Sequence, residues 1–126
     1  MMNPQRQEQI LSLLQDEKLR TVIESFEKDH AITILLLLYA GLGRWGRAKE
    51  TMRRMGITLN DGTFRARLLE LEHRTGLAHS RRLDPKKKEY LITPQGEAIA
   101  STLIDFLENV QDGLKINHPQ TAANNM

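Results

Sequence analysis

The sequence predicts an α+β fold, mostly α-helical, with one two-stranded β-hairpin inserted before a long last helix. Three observations carry this reading. Apolar residues recur at helical spacing from Ile10 to Leu71 and again from Ile99 to Leu114. That period is lost after Gly76, where "LAHSRRL" and "EYLI" read as short extended segments around the turn "DPKKK", with proline at its second position. Thr93-Pro94 then reads as a cap and first residue of a new helix.

In order along the chain, Asn3 before Pro4 is a helix start, and Ile10, Leu11, Leu13 and Leu14 make a first apolar stripe. Leu19, Val22, Ile23 and Phe26 make a second, so residues 1–28 form one broken helix or two successive ones. Asp29 is the expected cap of the next helix, "HAITILLLLYAG", which is apolar nearly all round and belongs in the core. Gly41 and Gly43 end it. "GRWG" reads as a turn with a strand-like pairing residue around Trp45, and a helix is expected from Arg47, with Ala48, Met52 and Met55 inward and Gly56 as its stop. Asn60 or Asp61 caps a further helix in which Phe64, Leu68 and Leu71 recur at i, i+4 and i+7. Two helices of this size joined by a few residues make a helix-turn-helix. The last helix carries Ile99, Leu103, Phe106 and Val110 on one face. The expected organisation is one domain over 1–114, divided into a helical extension (1–28), a helix-turn-helix and hairpin (29–93) and a last helix (94–114), followed by a flexible tail over 115–126.

Composition removes several classes of function. With no cysteine there is no disulfide framework, thiolate metal site or thiol nucleophile. The longest apolar run, about twelve residues, is roughly half a bilayer span. The polar start "MMNPQRQEQ" lacks a signal-peptide core, so a cytoplasmic protein without a membrane partner is expected. His30, His73, His79 and His118 are scattered, and "AGLGRWGR" has neither the preceding strand nor the spacing of a phosphate-binding glycine loop. No catalytic residue, metal site or cofactor is expected.

Charge is more telling in its distribution than in its sum. The net charge is +2, yet residues 44–88 hold 13 of the 18 basic residues against five acids, a local +8, and the flanks carry −6. A basic central segment on an acidic body is the pattern of a nucleic-acid face. If Phe64, Leu68 and Leu71 point inward, the outer face of their helix carries Gly62, Thr63, Ala66, Glu70 and His73, flanked by Arg65 and Arg67. Small outward residues let a helix approach base edges, and arginines at its flanks reach guanine edges or phosphates. Lys86, Lys87 and Lys88 repel one another at the hairpin tip unless an anion is near, and Arg81 and Arg82 alternate faces on the strand before it. Arg44 and Arg47 add backbone contacts.

From "GRWGRAKETMRRMG" through "FRARLLELEHRTGLAHSRRLDPKKKEYLITPQGEAIA" the chain resembles winged-helix transcription regulators of the MarR and HxlR superfamily. The resemblance rests on Arg67-Leu68, Leu71-Glu72, Gly76-Leu77, Tyr90, Ile92, Thr93, Pro94 and Gly96, and covers about half the chain. It implies a winged helix-turn-helix with extra N- and C-terminal helices, the Asp61 helix in the major groove of duplex DNA and the lysine hairpin as a wing on the backbone. The terminal apolar stripes, with Ile10, Leu14, Ile99, Leu103, Phe106 and Val110, are the expected interface of a homodimer. The alternative reading is a winged-helix module that docks on protein in a transcription or assembly complex, gripping nucleic acid at most without sequence preference.

Overall fold

The computed structural model describes residues 3–124, with side chains through Lys115. It is mostly helical, with one antiparallel hairpin. The first stripes form two helices, α1 (Pro4–Gln15) and α2 (Glu17–Phe26). The Asn3 carboxamide oxygen accepts from Arg6 N–H (2.9 Å) and starts α1; the Asp16 carboxylate accepts from Leu19 N–H (3.0 Å) and starts α2. The break therefore falls at Asp16. No residue of α1 is buried.

Helix α3 (Ala31–Tyr39) is the central element, with Ala31, Ile34, Leu35, Leu37 and Leu38 buried. Its start departs from expectation. His30, not Asp29, is the cap residue, in the left-handed region (φ 64°) and without a side-chain cap bond. The Asp29 carbonyl is taken by a tertiary contact, accepting from Arg67 Nε at 2.9 Å. At the other end Gly41 (φ 80°) donates to Leu38 O and Leu42 to Leu37 O, a left-handed stop that favours glycine.

Helix α4 (Trp45–Arg54) begins two residues earlier than the sequence suggests, and the strand-like pairing residue is Arg44, which bridges to Glu89, rather than Trp45. Pairing Arg44 with the hairpin frees Trp45 to open the helix and stack on Phe64, ring centroids 4.7 Å apart. Helix α5 (Asp61–Leu69) starts under Asn60, whose Oδ1 accepts from Thr63 N–H at 2.8 Å. It continues as a π-helical turn, Glu70–Arg74, before Gly76 (φ 69°) reverses the chain.

Strands β1 (Ala78–Asp84) and β2 (Lys87–Ile92) pair from Ala78–Ile92 out to Asp84–Lys87, with an irregularity between Arg82 and Asp84. The turn is only Pro85–Lys86, held by Asp84 Oδ1, which accepts from the N–H of Lys86 and Lys87 at 2.8 Å each. Lys87 and Lys88 are thus strand residues, and only Lys86 sits at the tip. Helix α6 (Pro94–Asn124) follows Thr93, whose Oγ1 accepts from Gly96 N–H (3.0 Å) and donates to Gly76 O (2.9 Å). The last helix was expected to end at 114; its backbone runs on to Asn124, so residues 115–124 continue the helix where a flexible tail was expected. Among the described residues no helix is long and apolar enough to cross a membrane.

The core joins α3, Ala48 and Met52 of α4, Phe64, Leu68 and Leu71, and the hairpin base (Leu77, Ala78, Tyr90) with Ala100 of α6. Two glycines seat the hairpin in it. A Cβ on Gly43 would collide with the Tyr90 carbonyl, and one on Gly96 with the Leu77 carbonyl. Gly96→Ala should therefore lower stability by about 1–3 kcal/mol, the usual cost of forcing carbon into a filled site, read as a drop in thermal midpoint. Gly46→Ala, where a Cβ meets nothing within 4 Å, should be neutral or stabilising by about 0.5–1 kcal/mol as a helical glycine replaced. Equal midpoints for Gly96→Ala and the wild type would contradict the tight seat.

Candidate functional site

A cleft of about 780 Å³ opens between the start of α4, the exposed side of α5 and the hairpin. Six cationic side chains line it: Arg44 and Arg47 from the start of α4, Arg65 from α5, and Lys86, Lys87 and Lys88 from the hairpin. Among the described residues no acid lines it. Trp45, Leu69, Leu83 and Tyr90 supply apolar wall. Fold topology brings these groups together across more than forty residues of sequence.

Two of the six, Arg65 and Lys88, lie over aromatic rings, as does Lys49 outside the cleft. The Arg65 guanidinium lies 5.8 Å and the Lys49 ammonium 5.9 Å from the Trp45 ring centroid, and Lys88 Nζ lies 5.2 Å from that of Tyr90. Such stacking fixes a long side chain without neutralising it. The Trp45 ring has Phe64 on one side and the cations nearby, so it is not a free stacking platform. Among the described residues, Arg47, Arg65, Lys86, Lys87 and Lys88 make no ion pair. Arg44 has only a long one, its Nε 3.9 Å from Glu89 Oε2.

The remaining expected contact residues lie elsewhere. Arg67 and Glu70 are not on the solvent face of α5: their side chains are 16% and 19% exposed and bind each other (3.4 Å). Arg67 also donates to Asp29 O, while Glu70 Oε2, which accepts no hydrogen bond, faces the Lys28 ammonium at 3.0 Å. The junction between α2 and α3 covers that flank, so the open face turns toward Gly62, Arg65 and Leu69, all exposed, with Ala66 and Thr63 half-buried at its edge. Arg81 is clamped by Glu89 through Nε (3.0 Å) and Nη2 (2.8 Å), and Arg82 donates to Pro85 O (3.0 Å). Both are exposed on the hairpin but outside the cleft.

Neighbouring bases on α4 are also spoken for. Glu50 accepts from Arg53 at 3.0 and 2.7 Å and from Arg54 at 3.3 Å; the Arg53 bonds, with help from Arg54, bring the pKa of its carboxyl down to about 2. Lys49 pairs with Asp61, joining α4 to the start of α5.

Leu69, Leu83 and Tyr90 are cleft residues that sequence patterning alone does not single out for binding. A signal existed for Leu69, which follows Arg65 by one helical turn and so shares its face. A helical wheel centres the outer face too far toward Glu70 because the Arg67 contact with Asp29, thirty-eight residues away, leaves no local trace.

No family profile, curated protein or solved structure matches this chain.

One carboxylate fixes the π-helical turn after α5 against the hairpin. Glu72 Oε2 accepts from Ser80 N–H (2.8 Å) and Oγ (2.7 Å). Burial pushes its carboxyl up, but the two Ser80 bonds, with His73 and Lys88 nearby, hold it below the ordinary carboxylate range. A carboxyl lowered in the folded state contributes stability in full above its unfolded pKa, and that contribution disappears as pH falls through the folded pKa. Wild-type protein should therefore be more stable than Glu72→Gln near neutral pH, with the gap in thermal midpoint closing as pH falls below the ordinary glutamate value of about 4.3. A gap that stays constant into that acid range would contradict the clamp.

Proposed function

We propose that this chain is a winged-helix regulator that binds duplex DNA as a homodimer, with α5 in the major groove and the hairpin as a wing along the phosphate backbone. The observation that carries the reading is the cleft itself: six cations from three separated segments converge on one concavity, with no acid among the described residues of its lining. A polyanion satisfies all six at once, and a small neutral substrate satisfies none. The sorting of ion pairs supports it. Arg20, Lys28, Arg53, Arg54, Arg67, Arg74 and Arg81, all outside the cleft, pair with Glu24, Glu50, Glu70 or Glu89, while Arg65 and Lys88 of the cleft sit against aromatic rings.

The readout follows from position. Gly62 and Ala66 keep the α5 backbone close to a groove floor, and Arg65, stacked on Trp45, extends a guanidinium whose fork matches guanine O6 and N7. Lys86, Lys87, Lys88, Arg44 and Arg47 meet phosphates, which fix register without reading sequence.

Uncovered apolar surface supports the dimer. Leu11, Leu13 and Leu14 on α1 and Phe106, Leu107, Val110 and Leu114 on α6 are exposed, Phe106 to 58% and Leu114 to 64%. Ile99 and Leu103, expected at the interface, pack instead on the chain's own core, and Ile10 is half-buried. The interface we propose is therefore α1 with the distal part of α6, which leaves the cleft open.

Two measurements test this. In fluorescence anisotropy with duplex DNA, replacing Lys86, Lys87 and Lys88 with alanine should flatten the slope of log K against log salt by about 0.9 for each phosphate that is no longer neutralised. The contrary result is an unchanged slope and affinity, which would make the lysines guards of an exposed hairpin edge. Light scattering should give a dimer mass for the wild type and a monomer for Phe106→Glu with Val110→Glu; a dimer that survives both charges would refute the proposed interface.

A further inference from the structure

Resting on the DNA reading above, we infer that Arg65 and Leu69 form a two-residue reading unit, in which Arg65 takes a guanine and Leu69 takes the C5-methyl group of a thymine about two base pairs away. Leu69 is 37% exposed on the open side of α5 and lines the same cleft as the six cations. It follows Arg65 by four residues, one turn further along the same face.

The spacing sets the register. Four residues advance about 6 Å along a helix axis, and stacked bases are about 3.4 Å apart, so the two side chains address positions about two base pairs apart. Their chemistry differs in kind. A guanidinium pairs with guanine acceptors, whereas an aliphatic side chain discriminates only by burying apolar surface, and the thymine methyl is the apolar group that the major groove presents. Around them the small residues Gly62 and Ala66 offer no competing contact, and Glu70 is withdrawn into its ion pairs with Arg67 and Lys28. Arg65 is ordered on Trp45 before binding, so the unit meets DNA already shaped.

The test selects bound duplexes from a random pool about 30 base pairs long, enough for two half-sites a helical turn apart. The enriched half-site should carry a guanine and a thymine separated by about two steps. Replacing that thymine with uracil removes only the methyl and should weaken wild-type binding about threefold to fourfold, as burial of one such group implies. Leu69→Ala should bind both duplexes alike, Leu69→Met should keep the preference, and Leu83→Ala, across the cleft on the hairpin, should also keep it. Arg65→Ala should relax selection at the guanine while leaving the thymine preference in place.

Enrichment with equal affinity for thymine and uracil, or a preference that survives Leu69→Ala, overturns the reading unit and leaves the DNA reading standing. Binding to the pool without enrichment does the same. Failure to bind any duplex at low salt overturns the DNA reading and the unit together.

Discussion

Everything at the cleft depends on how closely the hairpin backbone approaches the helices. The Tyr90 and Leu77 carbonyls occupy the space where Gly43 and Gly96 would otherwise carry a Cβ. Three backbone bonds run across the same seam: Tyr90 N–H to Gly43 O (3.0 Å), Thr93 N–H to Leu77 O (3.0 Å) and Leu77 N–H to Leu71 O (2.8 Å). Thr93 closes the set with its hydroxyl, which donates to Gly76 O and accepts from Gly96 N–H. Backbone contacts of this kind permit little adjustment, because each leaves a polar group unpaired if it opens. The hairpin can then hold three lysines opposite α4 and α5 at a fixed separation.

Once that seat is made, charge sorts itself by neighbourhood. Glu89 sits at the joint, bound to Arg81 on β1 and facing Arg44 at the entry to α4. Glu72 ties the π-helical turn to Ser80. These carboxylates hold the frame of the cleft, and among the described residues its five cations other than Arg44 make no ion pair. A net charge of +2 conceals this arrangement entirely.

The order and type of the elements were legible because each carries its own local signal. Asn3, Asn60 and Thr93 cap three helices by short-range hydrogen bonds, and the change of period after Gly76 marks the hairpin. What was not legible depends on distant partners. His30 replaces Asp29 as the cap of α3 where Arg67 claims the Asp29 carbonyl, and α4 starts at Trp45 because Arg44 is drawn to Glu89. The same contacts turn the open face of α5 away from Glu70 and onto Leu69. The basic cluster was visible as composition, but its division into paired and unpaired members required the fold. So did the packing of Ile99 and Leu103 against the core.

Amide hydrogen exchange, compared between the free protein and its complex with duplex DNA, tests the central claim most directly. Protection on binding should appear over the start of α4, the exposed side of α5 and the Asp84–Lys88 stretch of the hairpin, and nowhere on α2. Protection centred on α2, or spread evenly over the chain with the hairpin unaffected, would contradict the cleft as the binding face.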